Sequence, residues 1–400
     1  MVKTLIIYLF FSCSISVFAL ETKHLNDSIH VEFIGKQYNF ETKNILERYK
    51  GSLSKENISE FIKLIETNNL AAINSSLVQI RKDENLDDWI FYQLIRKTSQ
   101  ALIKKSEDYI AYTICKWYFL KESGYDPLLC ISKEKILLYV RSADIIYNQP
   151  IKDLNNQLYV CLNYHDYKYK LDFESEKFIN IDDIKKTTNE FSFKISELPR
   201  FDKSNYLTKE IVFQYKQHED KLNIKVNPTL VPYFNNYPVM DYENQFNIPL
   251  SKETYESLIP ALKEKTRKLS VNKGVEYLMY FTRHAFLYER DTEIFGREKR
   301  LSPEETLINE KSDCEDRSAL FYLLVKEIYN LPMIVITLPD HVTVAVKLNQ
   351  VHKNAVKYRG EYFTICEPTP QKKELRMGQT IANLTKTSYD IVYFYEPTLK

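Results

Sequence analysis

Apolar residues recur at helical spacing between Lys55 and Leu120, with Ile58, Phe61, Ile62 and Ile65 in one stretch and Trp89, Tyr92, Leu94 and Ile95 in another. Before them, Ile29 to Phe40 alternates like a short strand pair. After them Gly124 breaks the helical pattern, and Pro127 to Ser132 followed by Ile136 to Val140 reads as a β-hairpin. From Leu158 to Ile248 the period changes to two: Leu158, Val160 and Leu162, then Phe191, Phe193 and Ile195, then Ile211, Phe213 and Tyr215, with Leu222 to Val226 following. Short strands at this spacing predict a small β-sandwich or barrel-like module. Helical patterning returns near Ser251, over Tyr255 to Lys268 and Val275 to Tyr288. Glu289 to Lys311 is charged and irregular. A helix, two strands and further strands ending at Ile391 to Tyr395 complete the chain.

One stretch occurs twice. Lys326-Glu327-Ile-Tyr-Asn-Leu-Pro332-Met-Ile-Val-Ile-Thr337 aligns without gaps on Lys121-Glu122-Ser-Gly-Tyr-Asp-Pro127-Leu-Leu-Cys-Ile-Ser132. Each copy has an apolar helix before Lys-Glu and a strand after Pro. The alignment sets Tyr109 opposite Cys314, and Lys135 or Ile136 opposite His341. Either the first half holds a degenerate copy of the later unit, or two helix-Pro-strand junctions have converged. The expected division is a signal at 1–19, a helical α+β region at 20–150, a β-rich module at 151–250 and a last domain at 251–400.

Lys3 and the apolar run Thr4 to Val17, ending in Val17-Phe18-Ala19, have the form of a cleaved secretory signal. The run is short for a membrane span, and no other stretch is apolar enough. Cys13 lies within it, but Phe10-Phe11-Ser12 fits a lipidation signal poorly. The expectation is an exported protein, periplasmic or secreted, without membrane insertion after cleavage. A formal net charge of +1 gives no reason to expect a nucleic-acid partner, and seven glycines cannot build a phosphate-cradling loop or dinucleotide fingerprint. Histidines and cysteines show no ligand spacing, so neither cofactor nor metal is expected. Five cysteines remain after the signal. Cys115, Cys130 and Cys161 lie in apolar contexts that suit buried thiols.

The chemistry concentrates near Cys314. Ser312-Asp313-Cys314-Glu315-Asp316-Arg317 runs into the apolar helix Ser318 to Leu324. Ser312 and Glu315 have capping-box spacing, which places Cys314 at the second helical position; with Asp313 as cap it still lies in the first turn. Unpaired N–H groups and the helix dipole there favour a thiolate. Pro332 ends the helix, Met333 to Leu338 makes a strand, and His341 opens the next one, where Val342, Val344 and Val346 alternate. A histidine at that hairpin mouth can take the thiol proton. The strand Tyr362 to Cys366 delivers Glu367-Pro368-Thr369, and Glu367 can orient the imidazole.

This ordered set, Cys314 before a helix, His341 opening a strand and Glu367-Pro-Thr at a strand end, resembles the transglutaminase-like superfamily over roughly Phe281 to Thr369. Tyr288 through Cys314, with Phe295-Gly-Arg-Glu-Lys299 and Leu301-Ser-Pro-Glu-Glu-Thr-Leu307, is similar to exported bacterial proteins carrying that core. Trp117 with Ser123-Gly-Tyr-Asp126 is similar to their N-terminal region. The resemblance implies an α+β fold with a papain-like helix packed on an antiparallel sheet, and Cys314, His341 and Glu367 as nucleophile, base and acid. It implies acyl transfer on a protein or peptide through a thioester, hydrolysis being the reading of least commitment. The alternative is a silent binding module for peptide or glycan. Two departures stand out. The acid is Glu where the superfamily usually has Asp. No Trp or Gln upstream of Cys314 supplies an oxyanion donor, which leaves the Cys314 N–H with His284 or Asn309 as candidates.

Overall fold

Two five-stranded antiparallel sheets share one strand order. The first runs, edge to edge, Ile151–Leu154, Gln157–Cys161, Lys135–Arg141, Pro127–Ser132 and Glu176–Ile179. The second runs Val356–Tyr358, Glu361–Cys366, His341–Val346, Met333–Leu338 and Asp390–Tyr395. Each is a hairpin, a second hairpin added beside its second strand, and a last strand returning beside its first. The computed structural model describes residues 27–42, 46–68, 70–168, 176–179, 189–379 and 388–397. The expected signal, with Cys13, lies outside them.

The registers agree as well as the order. Ser132 and Lys135 close the first turn of one sheet, as Leu338 and His341 do in the other. Leu154 and Gln157 close the second turn, as Tyr358 and Glu361 do. The two hairpins then meet through Tyr139–Cys161 and through Ala345–Ile365, pairs that stand equally far from their turns. Because side chains alternate along a strand, equal register gives equal faces. Leu129, Leu138 and Val140 face the larger core of the first half, and Val335, Val344 and Val346 that of the second. On the opposite face Cys130, Tyr139, Tyr159 and Cys161 form a small separate core, and Ile336, Ala345, Phe363 and Ile365 form its counterpart. The sequence match therefore marks a real structural repeat. Counting from the turns selects Lys135, not Ile136, as the counterpart of His341.

The helix before each first hairpin also corresponds. Tyr109–Glu122 is capped by Asp108 and Cys314–Tyr329 by Asp313. They end by different means. Gly124 turns the first chain at φ +93°, whereas Asn330 adopts the left-handed conformation after the second, two residues before Pro332.

The expected β-rich module does not form among the described residues. Ile151–Leu154, Gln157–Cys161 and Glu176–Ile179 belong to the first sheet. Phe191, Phe193 and Ile195 are buried as their alternation predicts, but they lie outside any ladder. Carboxylates take the place of a neighbouring strand there: Asp88 accepts the Ser192 N–H, Asp144 that of Phe193, and Asp87 that of Ser196. The hairpin Leu207–Tyr215 with His218–Val226 packs instead on the helices Lys252–Thr266 and Val271–His284, in the second core. The chain then returns: Leu230, Tyr233, Phe234 and Met240 fill the first core. Ile34 donates its N–H to the Tyr233 hydroxyl, and Trp89 donates to the Tyr233 carbonyl, each at 2.8 Å. Only after this does the chain settle in the second half. Among the described residues no helix is long and apolar enough to cross a membrane, and Cys115, Cys130, Cys161, Cys314 and Cys366 are all free thiols.

Candidate functional site

The helix that carries Cys314 is capped by Asp313, not Ser312. The Asp313 carboxylate accepts the Glu315 N–H at 3.0 Å and the Asp316 N–H at 3.3 Å, and Asp316 accepts the Asp313 N–H at 3.2 Å. This closes a capping box one residue later than the Ser-Glu spacing predicts. Ser312 is held elsewhere: it is buried and pairs in parallel with Tyr288. Cys314 is therefore the first helical residue, where its N–H has no acceptor within the helix.

Across from it, His341 closes the turn of its hairpin opposite Leu338. Its Nε2 lies 2.9 Å from Glu367 Oε2. The other carboxylate oxygen, Oε1, accepts the Thr369 N–H at 2.8 Å. The Glu-Pro-Thr sequence thus folds back on its own acid and fixes it, and the extra methylene of Glu does not prevent contact with the ring. Arg283, fully buried at the end of the helix Val271–His284, donates Nε and Nη2 to the Glu367 carbonyl and Nη1 to Glu374 and the Leu375 carbonyl. Burial alone would lower the His341 pKa. The hydrogen bond and charge of Glu367, with Asp340 and Asp313 behind it, raise it above the ordinary value.

The helix meets the histidine strand at Val342. Ser318, one turn after Cys314, donates to the Val342 carbonyl at 3.1 Å. The Val342 N–H points to the Cys314 sulfur, and the charge of Glu367 is felt there. Cys314, His341 and Glu367, expected together from sequence, are brought to one corner. The thiol differs from the expectation. Burial pushes its pKa up, and Asp313, Glu315 and Glu367 add to the rise against the Val342 N–H. Burial, more than the carboxylates, favours the protonated thiol there.

More acid surrounds this corner than the sequence suggested. Asp291, Asp313 and Asp316 are buried and bring one oxygen each within 4.8 Å of one another, a grouping among the described residues that could receive a cation. Burial first, then Asp313, lifts the Asp291 pKa to about 8. Burial and Glu315 lift Glu298 to about 7 and Asp313 to about 6. Asp316 also rises, while it accepts the Leu301 N–H at 2.8 Å. These groups therefore share protons near neutral pH. Arg300 holds Glu315 at 3.0 Å and lies 4.2 Å over the Tyr242 ring. Arg317, fully buried, donates to the carbonyls of Thr282, Arg283 and Phe286 and so closes the preceding helix.

Neither expected second oxyanion donor reaches the thiol. Asn309 Nδ2 donates to the Glu305 carbonyl, and His284 lies beside Glu374 at 3.6 Å and Tyr280. Sequence reading missed Tyr288. Its side chain is half exposed, and burial and then the nearby Cys314 raise its pKa. Cys366 is a buried thiol bonded to the Thr364 carbonyl. Comparison with protein-family models, with curated proteins and with solved structures gives no match.

Proposed function

We propose that this chain is an exported cysteine-dependent acyl-transfer enzyme of transglutaminase-like type, acting on peptide or side-chain amides. The observation that supports this most is the His341–Glu367 contact of 2.9 Å, with Glu367 Oε1 already occupied by Thr369, at the strand end where the Val342 N–H meets the Cys314 sulfur. A surface histidine has no need of a buried acid whose two oxygens are both assigned.

In this reading His341 accepts the Cys314 proton as the sulfur attacks the amide carbon. The resulting oxyanion is met by the Cys314 N–H and the Tyr288 hydroxyl. The C–N bond breaks, the imidazolium gives its proton to the departing amine, and a thioester remains. Water, losing a proton to His341, attacks the thioester and releases the acid and the thiol. In this reading proton transfer accompanies attack, in keeping with the raised pKa of the buried thiol.

The raised thiol pKa favours a second reading, a silent binding module. Alkylation of Cys314 by iodoacetamide between pH 5 and 9, followed by mass spectrometry, separates the two. The enzyme reading expects a rate that follows the His341 titration and falls at least tenfold in His341→Ala. An equal rate in the two folded proteins would leave the binding module standing.

A further inference from the structure

The first half has none of this chemistry at the matching positions. Tyr109 stands where Cys314 does, Lys135 where His341 does and, counted from the turns, Asn163 where Glu367 does. Asn163 Nδ2 donates to the Tyr109 hydroxyl at 2.8 Å, and Tyr109 donates to Asp166 at 2.8 Å. What this corner gathers instead is positive charge. Lys105 pairs with Asp166. Lys116, 1% exposed, has its amine 4.4 Å from the Tyr112 ring centroid; burial lowers its pKa to about 7 against the charge of Asp166, and it makes no ion pair among the described residues. Arg96 likewise has no carboxylate at ion-pair distance among the described residues; it bonds the Tyr112 hydroxyl and feels Tyr92 and Asp166. One carboxylate, Asp166, thus faces Lys105 and Arg96, with the amine of Lys116 buried beside them, in a desolvated setting where unbalanced charge is costly.

Beside them opens a cavity of about 530 Å³, lined by Gln93, Arg96, Gln100, Lys105, Tyr112 and Tyr233, with Glu32 and Lys97 also in its lining. Gln93 is 5% exposed. Its Oε1 accepts from Arg96 Nη1 at 2.8 Å, which fixes the amide so that Nε2 is the free end, and Nε2 has no partner. Lys97 at the rim already donates to the Glu32 carbonyl and faces that residue's charge, so it does not balance the interior.

We propose that this cavity binds a carboxylate carried on an apolar body, with the Arg96 guanidinium and the Gln93 amide as its two donors and the Tyr112 and Tyr233 rings as its wall. An arginine beside an amide offers parallel N–H groups suited to two planar oxygens, and the size is that of a small-molecule site. A neutral ligand would leave the charge uncompensated, and a purely ionic one would leave the rings unused. The site is independent of Cys314.

The test is calorimetry and thermal unfolding of the whole protein with N-acetylphenylalanine, its carboxamide, and inorganic phosphate. The expected result is saturable binding of the carboxylate, at least tenfold weaker binding of the carboxamide and of phosphate, and the same affinity in Cys314→Ala. Arg96→Gln should weaken the carboxylate at least tenfold. Gln93→Glu, which keeps the bulk and sets a negative charge beside Arg96, should do the same if Arg96→Gln fails to fold. Equal binding of acid and amide, binding of phosphate as tight as that of the acid, no binding, or folded variants with unchanged affinity would each overturn the proposal.

Discussion

Glu367 settles how a longer acid serves a histidine: Thr369 takes one oxygen and His341 the other. If it holds the ring and its charge, Glu367→Gln should lower kcat by about 10²- to 10⁴-fold. The base form of His341 exists above its pKa, which Glu367 raises. The acid limb of kcat/KM in the wild type should therefore lie above the ordinary histidine value of about 6.5 and move to lower pH in the Gln variant. An unmoved limb would show that Glu367 is only structural. Tyr288→Phe removes the hydroxyl and keeps the ring. A loss of about 10²-fold in kcat with KM unchanged is expected if it serves the oxyanion. The corner shared by Cys314, His341 and Glu367 was legible because their types and order mark it in the sequence. Tyr288 was not: a tyrosine among thirty has no local mark, and its pairing with Ser312 through a two-residue parallel bridge depends on the tertiary fold.

The elements explain where sequence reading was exact and where it slipped. The strand pair Asp27–Phe33 with Lys36–Thr42 and both first hairpins follow their alternation because one face is buried and the register cannot slide. Phe191 to Ile195 alternates for the same reason, yet forms no ladder: Asp88 and Asp144 accept the Ser192 and Phe193 N–H groups, and the Arg141 carbonyl that of Phe191. Alternation reports burial, not pairing. The cap of the Cys314 helix slipped by one because two boxes, Ser-Glu and Asp-Asp, overlap there. The irregular stretch before it hid a third, Ser302 with Glu305. Two predictions belong to this scale. Arg317→Met leaves the carbonyls at the end of Val271–His284 unanswered and should cost at least about 3 kcal/mol in denaturant unfolding. The carboxyls of Asp291, Glu298 and Asp313 titrate higher in the folded chain than the ordinary value of about 4. The folded state then holds protons that the unfolded state has released. Their contribution is complete below about pH 4 and is lost as pH rises through 6 to 8. The unfolding midpoint should fall over that range, and less steeply in Asp291→Asn, which imitates the protonated form.

At the scale of the molecule the two halves are interlaced. The hairpin Leu207–Val226 serves the second core, whereas Tyr233 and Met240, which follow it, serve the first. Boundaries at 150 and 250, drawn where the period of the sequence changes, cut across both. A fragment 251–400 lacks Ile211, Phe213, Leu222 and Ile224 against its helices, and should show no cooperative thermal transition; restoring 207–226 in trans as a peptide should bring helical signal back. Sequence could reveal the repeat, because similar units keep similar local patterns, but not the exchange of segments, which leaves no period behind. That exchange also orders events in time. During synthesis the hairpin appears before the helices Lys252–Thr266 and Val271–His284 that cover it, while the first half still waits for Tyr233. Its apolar face stays open until some fifty further residues have followed, on the order of seconds at usual elongation rates. That interval is when the chain is most vulnerable to aggregation, and when a chaperone would have most to protect.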